Sequence, residues 1–237
     1  MLDMNDVIMD EKIIEKYNPF WKDENSNEYS YVYMRKVFLE EDAKICPDYD
    51  KIALYLYAYL ASWGMLRNSF LASKNYKVFI PVIIRLHTFH HKKELMNVEY
   101  GNREKYDIYI LYIKEISDLI SEALMYENDY CKFSGCEVSN KTINKPTRTL
   151  VSKIILGTYG CIPAFDSKFE IGWKTEFPKI RKYDEILKGI FCFINNNINM
   201  IDKECRRIKC GEYYTPARIV DIYFWIKGKC GVEEEKK

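Results

Sequence analysis

Apolar residues recur with helical spacing along most of the chain, and they do not alternate as they would in a half-buried strand. The clearest helical period covers residues 103–126, and a second helix is predicted over 28–42. The stretch 50–72 is apolar on nearly every side, which predicts a central buried helix. We therefore expect an all-α fold in a single domain, with helices that cross at large angles.

Prolines and capping residues set the ends of several predicted helices. Asp48 or Asp50 can cap the central helix by accepting a hydrogen bond from its first turn. Pro81 falls in the first turn of a helix predicted over 76–97, where a missing N–H is tolerated. The β-branched residues of 77–84 leave a strand as the alternative there.

The C-terminal half is predicted to contain shorter helices. Three are expected, over 147–159, 183–208 and 215–227. Pro163 and Pro178 prevent a continuous helix over 161–180, so this stretch is predicted to be irregular.

The polar and loop-forming stretches suggest how the domain is organised. Residues 1–26 are polar and acidic, which predicts partial disorder. Residues 27–230 form the helical domain, and 231–237 form a charged tail. A loop rich in Gly, Asn and Ser at 127–146 is a candidate boundary between two lobes.

Composition excludes several classes of protein. The longest apolar run, from Ile52 to Leu66, has 15 residues and is too short to cross a bilayer. The start of the chain is acidic and lacks the pattern of a signal peptide, so we expect a cytoplasmic protein with no membrane partner. The eight cysteines are expected as reduced thiols. Their two C-x4-C pairs do not have the usual zinc spacing, so no metal or cofactor is predicted.

Positive charge is concentrated in one half of the chain. Residues 141–230 contain 17 Lys or Arg against 9 Asp or Glu, whereas residues 1–140 contain 17 against 23. A basic half can be a binding surface for nucleic acid. The alternative is that the two halves pack together and neutralise each other.

The basic residues cluster beside aromatic ones, as in a surface that binds a phosphate backbone and stacks on bases. We predict nucleic acid as the partner, DNA before RNA. The predicted contacts are Arg148, Trp173, Lys174, Lys179, Arg181, Lys182, Arg206 and Arg207.

The segment TLVSKIILGTYGCIPAFDSKF resembles the catalytic region of helix-hairpin-helix DNA glycosylases over about 20 residues. There a helix that carries a lysine is followed by a P-x-x-D turn. The resemblance implies that Asp166 stabilises the cationic sugar as a flipped base leaves, and that Lys153 attacks C1′. No L-P-G-V-G-type hairpin precedes Lys153, which is a departure from that family. The simpler alternative is that Asp166 caps a helix and Lys153 is a solvated residue.

A second motif favours a different chemistry. Arg85 and His90 fit the R-x4-6-H pattern of HEPN ribonucleases, although Leu86 stands where those proteins commonly have a polar residue. The resemblance implies an all-α, usually dimeric enzyme, in which the arginine stabilises the phosphate and the histidine transfers a proton. His87 and His91, four residues apart, are also a candidate two-ligand metal face. A polar cluster at a helix end is the plainer reading.

The stretch ASWGMLRNSFL, together with the segment that contains Lys153 and Asp166, resembles an uncharacterised family of bacterial proteins. No activity is attached to that family. The stretch adds Trp63 and Arg67 as candidate site residues, since a desolvated arginine can clamp a phosphate or a carboxylate. A third hypothesis is a non-catalytic protein that binds another protein through its 20 tyrosines.

Overall fold

The computed structural model of the protein describes residues 7–67, 69–133 and 145–234. Regular structure within these ranges is helical, so the predicted all-α fold is confirmed, and the alternative strand at 77–84 is wrong. The α-helices are α1 Glu11–Glu15, α2 Asn18–Lys22, α3 Asn27–Asp42, α4 Tyr49–Ser62, α5 Ile80–Thr88, α6 Lys92–Met96, α7 Tyr106–Phe133, α8 Arg148–Thr158, α9 Ser167–Glu176, α10 Tyr183–Asn196, α11 Ile198–Arg207 and α12 Pro216–Glu234. None of these helices is long and apolar enough to span a membrane.

Side-chain caps fix where several helices begin. Asp48, rather than Asp50, caps α4 by accepting a hydrogen bond from the backbone N–H of Lys51. Thr147 caps α8 in the same way through the N–H of Leu150. Each such cap satisfies a backbone donor that the helix leaves unpaired and contributes about 1 kcal/mol.

Of three helices predicted as continuous, one is shortened and two are divided. The central helix ends at Ser62, because Gly64 has a φ of 73° that turns the chain. The helix predicted over 76–97 becomes α5 and α6, since Phe89 has extended backbone between them. The helix predicted over 183–208 is interrupted at Asn197 and becomes α10 and α11.

The N-terminal segment contributes the short helices α1 and α2 to the described part of the chain, and its partial disorder stays a prediction. Tyr17, which lies between these helices, and Trp21 in α2 are buried in the core. Asn197 anchors the segment, because its Oδ1 accepts the backbone N–H of Met9 at 2.7 Å. A few apolar side chains and one amide thus attach a stretch that is polar on average to the core.

Helix α9 corrects the prediction that 161–180 is irregular. The two prolines of this stretch lie outside α9 and therefore flank the helix instead of interrupting it. Glycines let α9 approach α12 closely: a Cβ on Gly172 would lie 2.0 Å from the backbone oxygen of Phe224. A Cβ on Gly228 would lie 1.9 Å from the backbone oxygen of Lys168. The two backbones are therefore in direct contact at this crossing.

The buried apolar residues form one continuous core that includes residues from both sides of the 127–146 stretch. Most of that candidate lobe boundary, residues 134–144, lies outside the described residues. Helix α8 lies deep in the core, with every residue from Leu150 to Thr158 buried. Helix α12 continues to Glu234, so the predicted charged tail at 231–237 is helical over its first residues.

Candidate functional site

The structure brings Lys153 and Asp166 together. Lys153 lies in the middle of the buried helix α8 and has only 5% of its surface exposed. Its Nζ is 3.5 Å from Oδ2 of Asp166. A buried ammonium is costly without an anionic partner, so this carboxylate is what makes the position of Lys153 tolerable.

Asp166 occupies the N-terminus of α9. Its Oδ1 accepts the backbone N–H groups of Lys168 at 3.1 Å and Phe169 at 3.0 Å. The positive end of the helix dipole favours a carboxylate at this position. One fifth of the side chain remains exposed, so the carboxylate lies between the buried lysine and the solvent.

The loop between α8 and α9 is hydrogen-bonded to α8 and to α12. The N–H of Phe165 donates to Ser152 Oγ at 3.0 Å, and the Thr149 hydroxyl donates to the oxygen of Phe165 at 2.8 Å. The N–H of Ala164 donates to Asp221 Oδ1 at 3.0 Å. These bonds fix the backbone that carries the aspartate relative to the helix that carries the lysine.

Trp63, which follows the last residue of α4, joins this site. The centroid of its ring lies 4.8 Å from Nζ of Lys153 and 5.1 Å from Cζ of Arg218. Cations are attracted to an indole face at this distance. The Nε1 of Trp63 is buried and has no hydrogen-bond partner among the described residues. Arg67, predicted from the same stretch, is exposed.

Arg218 is the second buried cation of the site. Its guanidinium forms ion pairs with Glu28 and Asp221. Tyr17 and Tyr214 donate hydrogen bonds to the Glu28 carboxylate, the latter at 3.0 Å. Burial alone would lower the pKa of Arg218, but Glu28 and its other neighbours raise it well above its usual value.

Asp221 relates the Arg218 ion pairs to the Lys153–Asp166 pair, because it pairs with Arg218 and lies near enough to Asp166 for their charges to interact. Burial raises its pKa to about 6, a rise that nearby Asp166 increases and that Arg218 opposes. The five side chains define what we call the buried charge cluster: Glu28, Lys153, Asp166, Arg218 and Asp221. Fully ionised, it carries two positive and three negative charges, and protonation of Asp221 would balance them.

Sequence reasoning missed Glu28, Arg218 and Asp221. A signal was present for two of them, because Arg218 and Asp221 stand three residues apart in an otherwise apolar stretch of α12. Opposite charges at this spacing lie on one helix face and can pair when buried. Glu28 gives no such signal, since its partners are distant in the chain.

Part of the predicted nucleic-acid surface surrounds a cavity of about 570 Å³ beside α9. Arg148, Lys174 and Arg181 line it together with Trp173. Trp173 is only 1% exposed, so its ring has no free face on which a base could stack. Glu170 pairs with both Arg148 and Lys174, which reduces the positive charge of the cavity.

The other predicted contacts lie in different surroundings. Lys179 and Lys182 are exposed, and Lys182 lies 3.5 Å from Glu185. Arg206 is exposed near the end of α11. Arg207 pairs with the buried Glu204. The eight predicted contacts therefore do not share one cavity, and their role in binding stays a prediction.

Ion pairs join the basic and acidic halves of the chain, as the alternative interpretation of the charge pattern predicted. Lys114 of the acidic half pairs with Asp184 of the basic half. Outside the buried charge cluster, three lysines of the basic half pair with carboxylates of the acidic half: Lys188 with Asp107, Lys203 with Glu11, and Lys209 with Glu24. They neutralise part of the positive charge of residues 141–230. The basic surface is thus smaller than the sequence suggested.

The residues of the second motif are placed apart from this site. Arg85 is exposed on α5, and no hydrogen bond, ion pair or ring contact joins it to His90 within the described part of the chain. His87 pairs with Asp42 at 2.8 Å. Helix α5 ends before His91, so His87 and His91 do not share a helical metal face.

Comparison with known protein families, with curated proteins and with solved structures finds no match to this chain. The fold and the site define an all-α protein with a buried lysine–aspartate pair that reaches the surface at a helix N-terminus.

Proposed function

We propose that the protein is a DNA base-excision enzyme of the helix-hairpin-helix glycosylase type. The observation that carries the proposal is the 3.5 Å contact between Lys153 Nζ and Asp166 Oδ2. The local resemblance to that family involves these same two residues. Asp166 in this pair is partly exposed, so it offers a fixed negative charge beside solvent, where a cationic sugar could be stabilised.

Asp166 is the residue that would stabilise the reaction. When a base leaves a deoxyribose, positive charge develops at C1′ and the ring oxygen, and a fixed carboxylate stabilises it. Asp166 is held in place by two backbone N–H groups on one oxygen and by Lys153 on the other. A carboxylate so fixed needs little reorganisation when the charge develops.

Lys153 is better suited to positioning Asp166 than to attacking the sugar. Its Nζ lies between a carboxylate and the face of Trp63, which are the partners of a protonated amine. Such an amine has no free electron pair. Water would then add to C1′ and lose a proton. The base would depart with the electron pair of the broken bond and take up a proton, which leaves an abasic site.

DNA binding would use the exposed cations near α9. Lys179 and Arg181 are exposed and form no ion pair within the described residues, and Arg181 borders the cavity described above. Arg148 and Lys174 would have to exchange Glu170 for phosphate. Neutralising phosphates releases counterions, so binding must weaken steeply as salt rises.

The test is binding and product analysis on labelled single- and double-stranded DNA and RNA, including duplexes with damaged bases, at two salt concentrations. The proposal predicts salt-sensitive DNA binding and release of a damaged base. RNA cleavage that depends on His90 would replace it with the ribonuclease hypothesis. Failure to bind any nucleic acid at low salt would leave the protein-binding hypothesis.

A further inference from the structure

A cluster of metal-ligating side chains lies away from the buried charge cluster, where α7 passes the connection between α5 and α6. His90, His91 and Glu115 each offer a ligand atom there, and these atoms lie within 4.8 Å of one another. The Nε2 of His90 is 3.9 Å from Oε1 of Glu115. The two imidazole centroids are 4.0 Å apart.

Neighbouring residues orient one of the three ligands. The ring of His91 stacks on Tyr112, with centroids 3.5 Å apart and the planes inclined by 14°. Its Nδ1 lies 3.5 Å from Oε1 of Glu94. A carboxylate next to one ring nitrogen commonly holds the other nitrogen ready for a metal. Tyr112 and Glu115 stand three residues apart, so α7 presents both on one face.

We propose that His90, His91 and Glu115 bind a divalent transition-metal ion of the zinc type. Two imidazoles and a carboxylate suit Zn²⁺, Ni²⁺ or Co²⁺ better than Mg²⁺ or Ca²⁺, which prefer oxygen ligands alone. Bonds of about 2.0–2.2 Å in a tetrahedron place ligand atoms about 3.4 Å apart. His90 and Glu115 are well exposed, and rotation of their side chains supplies the contraction.

Local charge also favours a cation at this position. Glu115 and Glu94 are the carboxylates near the two imidazoles. Lys92, next to His91 in sequence, is engaged by Asp42 at 2.6 Å, and the following Lys93 is exposed to solvent. Three protein ligands leave the fourth position to water. A bound ion would tie the connection between α5 and α6 to α7.

The test uses the full chain without an affinity tag, titrated with Zn²⁺ by calorimetry and with Co²⁺ by visible absorption. One ion per chain is expected, with the Co²⁺ spectrum of a nitrogen and oxygen site. His90→Gln and Glu115→Gln should each weaken binding by roughly ten-fold or more. His87→Gln removes the remaining histidine, which pairs with Asp42, and should leave the affinity unchanged.

Three results would overturn the proposal. The first is the absence of stoichiometric binding to the wild-type chain. The second is unaltered affinity in Glu115→Gln, which would reduce the site to two surface histidines. The third is a thiolate-to-cobalt absorption band, which would place the ion on cysteines instead. Circular dichroism of each variant confirms that a loss of binding is not a loss of fold.

Discussion

Lys153 and Asp166 place opposite charges 3.5 Å apart, although they belong to different helices and are separated by a loop. The lysine is buried in α8, and the aspartate reaches solvent at the start of α9. Because the loop is hydrogen-bonded to α8 and α12, the pair forms as part of the folded core. This relationship is the basis of the proposed activity and of the first prediction.

Lys153→Met should destabilise the protein by about 2–3 kcal/mol. Removing one partner of a fully buried ion pair costs about 3–5 kcal/mol, and the partial exposure of Asp166 reduces that figure. Urea unfolding measures the change. Lys174→Met is the control, since this lysine pairs with Glu170 on the surface and its loss should cost about 0.5 kcal/mol or less. Equal effects of the two variants would contradict burial of Lys153.

The crossing of α9 and α12 should tolerate no side chain at its two glycines. Gly172→Ala and Gly228→Ala should each destabilise by about 3 kcal/mol or more, because the added carbon meets backbone that cannot rotate away. Gly101→Ala is the matched control, since its Cβ would meet only the Asn195 side chain at 3.7 Å. Thermal unfolding in which all three variants behave alike would contradict the close crossing.

Glu41 should make stability depend on pH in the acid range. Hydrogen bonds from Lys51, Lys44 and the N–H of Asp48 lower its pKa from 4.5 to about 2. A lowered pKa means that the stabilisation is complete above the unfolded value of 4.5 and is lost as the pH falls towards 2. Glu41→Gln should remove this loss, as measured by urea unfolding across that range.

Glu40→Gln is the matched control for this experiment, because it removes an exposed carboxylate from the same helix. The variant should keep the wild-type decline in stability with falling pH. A decline that persists unchanged in Glu41→Gln would show that another carboxylate is responsible.

Local pattern was enough to predict much of the helical fold. Helix α3 and the start of α7 follow from apolar periodicity, and Asp48 caps α4 because its side chain bonds within its own turn. The interruption at Asn197 could not be predicted in this way. Its amide bonds the backbone of Met9, a partner that only the tertiary fold brings near.

The candidate site was predicted only in part for the same reason. Lys153 and Asp166 fall in one short motif, so the sequence could relate them to each other. Their surroundings depend on Glu28 and Arg218, which lie far apart in the chain and pair in the core. Charged residues are usually exposed, and neither of these two was predicted as a site residue.

The most direct test of the proposed activity is the rate of base release from damaged duplex DNA by the wild-type protein and by Asp166→Asn. Asparagine is also a good helix cap, so this variant removes the charge while α9 keeps its start. Asp184→Asn, which removes a surface carboxylate paired with Lys114, is the control. We expect the wild type and the control to release base at equal rates, and Asp166→Asn to be slower by about a hundred-fold or more. Equal rates in all three proteins, or no release by the wild type from any damaged duplex, would contradict the account.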